Sequence, residues 1–145
     1  MRPSPTARWK ASTLIGLDTN VLVRFLTNDD PKRSEIAARS IETLSEERPG
    51  YISHIVLVEL YWVLTSKRGY AYSVDEATGA MARLIDAREI VAERADLVRT
   101  ALKAAQDGAG FADALITARN HDAGCSDTVT FDKGAANNAG MRLLT

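Results

Sequence analysis

Apolar positions along this chain come in short blocks separated by polar breaks, and the spacing inside the blocks changes. "LIGLD" at 14–18 is an almost continuous apolar run closed by an acid, the pattern of a short buried strand. Asn20 to Leu26 continues as an apolar turn of helix. "TNDDPKRSE" interrupts it, and Pro31 suits a helix's first turn. Residues 32–46 carry Ile36, Ala37, Ile41 and Leu44 at helical spacing, until "RPG" stops the element. "YIS" reads as a second brief strand. Ser53 is placed to cap a helix over "HIVLVELYWVLTSK", and Ser73 another over 74–86. A short strand is expected at 89–91, with helices over 95–106 and "FADALITARNHD". "DTVTF" is a β-branched strand, "DKGAANNAG" a loop holding about one helical turn, and "MRLL" the closing strand. Strands alternating with helices predict an α/β sandwich with a mostly parallel sheet.

Composition narrows the class without naming it. The 145 residues suffice for one domain with a core, and 46% apolar against 26% charged is an ordinary water-soluble balance. A net charge of −1 excludes a globally basic nucleic-acid binder but leaves local patches open. Cys125 is the only cysteine, so no internal disulfide framework exists, which fits a reducing cytoplasm. No apolar run has the length of a membrane span. Residues 1–12 are basic and rich in Pro and Ser, and lack the apolar core of a signal peptide. They read as a flexible extension ahead of a single domain over 13–145.

Four acids stand out. Asp18 and Asp132 follow strands, and sites in open parallel sheets form beyond the strands' carboxyl ends. Each has a plainer reading as a helix cap or Asx turn. Glu59 has Ile55, Val56, Trp62 and Val63 as helical neighbours, so it shares a face with large hydrophobes. Burying such a carboxylate unpaired costs several kcal/mol, so the plain alternatives are a salt bridge or a position at the rim. Asp113 lies beside an apolar stripe in a helix's first turn, where compensation of the helix dipole explains an anion equally well. If the four converge, they cannot all ionise without a cation, and hard oxygen donors suit Mg²⁺ or Mn²⁺.

"LDTNVLVRFL", "VLVELYWVL", "GFADALITA" and "TVTFDK", in that order, resemble the four acidic motifs of PIN-domain ribonucleases, and most nearly VapC-type toxins of bacterial toxin–antitoxin pairs. The resemblance implies a PIN-like three-layer sandwich, with a mostly parallel central sheet of four to five strands flanked by helices. It implies Asp18, Glu59, Asp113 and Asp132 as catalytic metal ligands, with Asn20 and Thr130 supporting them. It further implies a Mg²⁺- or Mn²⁺-dependent endoribonuclease that hydrolyses RNA with a metal-activated water. A homodimer, or a hetero-oligomer with a cognate antitoxin that blocks the acidic groove, is the implied assembly, in the cytoplasm. The long stretch ahead of Leu14 departs from the family pattern.

Other chemistries find less support. A metal-independent ribonuclease usually needs a histidine pair, and here His54 and His121 sit near helix ends. Neither has zinc-ligand spacing, and there is no phosphate-binding glycine loop. Arg24 and Lys133 are placed to meet RNA phosphates, though solvated surface charge explains them as well. Tyr61 and Trp62 read as core or dimer packing. The rival functional reading is a catalytically silent PIN-like module that binds RNA or protein. A phosphoacceptor domain is disfavoured, because Asp18 has no adjacent acid.

Overall fold

Side-chain caps set most of the helix boundaries. Asp18 precedes α1 (Thr19–Leu26), and Asp30 precedes α2 (Pro31–Glu42), accepting the Arg33 N–H at 3.2 Å. Ser53 accepts the Val56 N–H and starts α3 (His54–Thr65). Ser73 and Glu76 satisfy each other's backbone donors in a reciprocal capping box that opens α4 (Val74–Asp86). The structure is a computed structural model that describes residues 13–145; the extension expected over 1–12 lies outside them.

The chain divides into two compact units, one running to Ala95 and the other Asp96–Thr145. In the first, β1 (Ile15–Gly16), β2 (Gly50–Ile52) and β3 (Ile90–Ala92) form a parallel sheet in the order β1-β2-β3. Central β2 is buried at both ends, and all of β3 is buried, as parallel strands require. The helices around them supply the core. Leu57, Leu60 and Leu64 of α3 are fully buried, beside Leu22 of α1 and Met81 of α4. Each such leucine contributes about 2 kcal/mol of burial.

Helix α3 also corrects a sequence expectation. It is apolar on every side, so periodicity could not choose its buried face. The Leu57–Leu60–Leu64 stripe faces inward. Ile55 and Trp62 lie outward, 75% and 66% exposed, and Glu59 is exposed with them. Trp62 is therefore not core, and neither is Ile36 of α2. At the end of α3 the chain turns so tightly that a Cβ on Gly69 would run into the Val63 carbonyl oxygen.

The second unit holds most of α5 (Ala95–Gln106), then α6 (Phe111–Asp122) and α7 (Lys133–Asn138). It also holds a parallel pair, β4 (Val129–Thr130) with β5 (Arg142–Leu143). Helix α5 buries Val98, Ala101, Leu102 and Ala105, a regular one-sided stripe. Helix α6 has the bounds its sequence predicts. The expected loop over 132–140 is mostly α7 instead, because Asp132 caps it and Ala135 anchors it by burial. The "DTVTF" strand is paired only at Val129 and Thr130. Across the described residues the five strands are all parallel, three in one sheet and two in the other.

Candidate active site

In the first unit, one residue joins two of the acids. Asp18 ends the β1 segment, where Leu17 N–H donates to the Tyr51 carbonyl. Its Oδ1 accepts the Thr19 N–H at 2.8 Å. The Thr19 hydroxyl then donates to Glu59 Oε1 at 3.2 Å, bridging α1 to α3 across 40 positions of sequence. Thr19 itself is buried, so this threonine is held by the core while both carboxylates face water. Among the described residues no cation pairs with either acid. The salt-bridge reading of Glu59 therefore does not hold, and the rim reading does. Asp18 also serves its plainer role as a helix cap, though through the adjacent N–H rather than the usual one two or three residues on. Asn20 is exposed at the second position of α1.

In the second unit, Asp113 sits in the first turn of α6, whose cap Gly110 has no side chain to offer. The carboxylate folds back over that end: a Cβ on Gly110 would lie 3.2 Å from Asp113 Oδ2. Asp113 is thus the anion at a helix N-terminus, as the dipole favours. Asp132 is held on both sides. Its N–H donates to Thr130 Oγ1 at 3.0 Å, and its Oδ1 accepts the Gly134 N–H at 2.8 Å. Thr130 thus fixes the backbone on which Asp132 is mounted.

The model of the PIN domain family matches residues 15–141. This chain belongs to the PIN domain family. No curated protein matches it. PIN domains are generally nucleases that use divalent metal ions, and the donor chemistry bears on that. Among the described residues no three His, Cys, Asp or Glu side chains form a cluster able to hold a metal. Mg²⁺, however, commonly takes only one or two carboxylates, completing its shell with water and substrate phosphate. Asp18 and Glu59, each bonded to Thr19, are hard-oxygen donors of the kind that ion takes.

Arg24 Nη1 donates to Asp29 Oδ1 at 3.0 Å, linking α1 to the connection that follows it. Asp29 also accepts from Tyr70 Oη at 2.7 Å and from the Thr27 hydroxyl. The Tyr70 bond chiefly holds its carboxyl below the usual range. Lys133 is exposed. His54 is buried at the start of α3, where its N–H donates to Glu93 Oε1 at 2.8 Å, and His121 is exposed near the end of α6. A cavity of about 300 Å³ is lined by Phe25, Ile41, Leu84 and their neighbours, and none of the four acids lines it. Sequence reasoning missed Thr19. It stands between the two polar residues singled out in "DTN", but nothing local signals a partner forty residues away.

Proposed function

We propose that this PIN domain is a Mg²⁺- or Mn²⁺-dependent endoribonuclease of the VapC toxin type, acting in the cytoplasm and restrained by a cognate antitoxin. The observation that carries the reading is the Thr19 link. Two exposed carboxylates without cationic partners are tied by one buried residue, in a chain whose family is generally nucleolytic. Asp18 and Glu59 are the residues that would hold the ion. Asp113 and Asp132 are assigned to the same chemistry by their motifs, with Thr130 and Asn20 supporting. A divalent ion supplies positive charge against the phosphodiester and an acidified water. Thr19 keeps Glu59 oriented, and the Gly134 and Thr130 bonds keep Asp132 from swinging away. Homodimerisation, and an antitoxin arginine laid against the acids, belong to the same proposal.

The test is cleavage of RNA by the full chain, with Mg²⁺, with Mn²⁺ and with EDTA, beside Asp18→Asn. Cleavage lost in EDTA and in the variant, leaving 5′-phosphate ends, is the expected result. Undiminished cutting by a folded Asp18→Asn overturns the assignment. Asp18 and Asp132 each cap a helix, which favours a second reading, a silent PIN module. RNA binding without any cleavage under either ion would establish that one.

A further inference from the structure

Phe131 is 82% exposed, the most exposed large hydrophobic side chain among the described residues. A phenylalanine gains about 2 kcal/mol on burial, so full exposure of one on a fixed backbone asks for an explanation. The backbone on both sides is fixed. Thr130 is paired to β5 through Leu144 N–H at 2.7 Å, and Asp132 N–H returns to Thr130 Oγ1. Gly134 N–H then closes on Asp132 Oδ1. The ring therefore projects from a braced turn and not from a loose loop, so little backbone ordering is lost when it meets a ligand. Its sequence neighbours are Asp132, a candidate acid, and Lys133, an exposed cation.

We propose that Phe131 is a stacking platform for an unpaired base of single-stranded RNA, beside the acid at 132. This rests on the nuclease reading and adds to it a residue that would hold a base of the substrate. An aromatic face takes any base, Lys133 meets the adjoining phosphate, and the braced turn sets their spacing. A duplex keeps its bases stacked on one another and offers no free face to the ring. Phe131 is thereby a specificity-determining residue, acting on binding and KM more than on kcat.

Fluorescence anisotropy with a labelled single-stranded oligoribonucleotide, in EDTA to prevent cutting, tests this. Phe131→Ala is expected to weaken binding about 5- to 100-fold, and Phe131→Trp to retain it. An oligomer of the same length lacking its bases should bind wild type and Phe131→Ala equally. Because the ring is exposed, its truncation leaves the core intact. Wild-type binding that is indifferent to Phe131→Ala overturns the platform while leaving the nuclease reading standing. A changed mass by light scattering for Phe131→Ala, with RNA affinity unaltered, overturns it in favour of a protein contact. Wild type that neither binds nor cuts RNA overturns both.

Discussion

Replacing Thr19 by valine isolates one hydroxyl. Valine keeps the β-branched shape, and the site is only 7% exposed, so packing is preserved. The backbone N–H stays, so Asp18 Oδ1 keeps its 2.8 Å bond. What goes is the 3.2 Å donor to Glu59 Oε1. A hydrogen bond to a charged group contributes about 1.5–3 kcal/mol when buried. Glu59 is exposed, so water replaces the lost donor, and the stability loss should stay below about 1 kcal/mol. Orientation is another matter: losing an outer partner of a metal-binding carboxylate typically costs roughly 10- to 100-fold in metal affinity. Mn²⁺ titration by calorimetry reads that quantity, and urea unfolding reads stability. Thr19→Val should bind Mn²⁺ at least tenfold more weakly with near-normal unfolding, and Thr19→Ser should recover most of the affinity. If Thr19→Val binds the ion like wild type, the hydroxyl orients nothing, and the argument from the Thr19 link fails.

Gly69→Ala should destabilise by about 1–3 kcal/mol, since the new Cβ meets a backbone oxygen that cannot rotate away; an unchanged urea midpoint would contradict the close approach after α3. The Asp29 carboxyl is held low chiefly by Tyr70. A group lowered in the folded state stabilises above its unfolded value and loses that contribution as pH falls through its folded value. Tyr70→Phe should therefore raise the Asp29 titration midpoint, seen by carboxyl-carbon NMR, and lessen the acid-induced part of unfolding; an unmoved midpoint would remove Tyr70 as the cause.

The helices were legible because their signals are local. Ser53 and Ser73 announce starts by satisfying nearby backbone donors, and the break at "DGAG" leaves α6 with its expected bounds. The acids were legible as positions: Asp18 and Asp132 follow strands, Asp113 sits in a helix's first turn, and Glu59 interrupts an apolar helix. The faces of α3 were not, because a helix apolar all round carries no periodic signal, and only packing against neighbouring elements placed Leu60 inward and Trp62 outward. The short strands were over-read for a similar reason: β propensity marks Asp127 to Phe131, but pairing with β5 reaches only Val129 and Thr130.

What the sequence determined alone, then, was the order of elements, their caps and the four acidic motifs, all set by interactions within a few residues. Tertiary structure decided that Glu59 looks outward and that Thr19 reaches across to α3. The Thr19–Glu59 contact joins residues 40 positions apart, and its geometry depends on how whole elements pack, which no local pattern encodes.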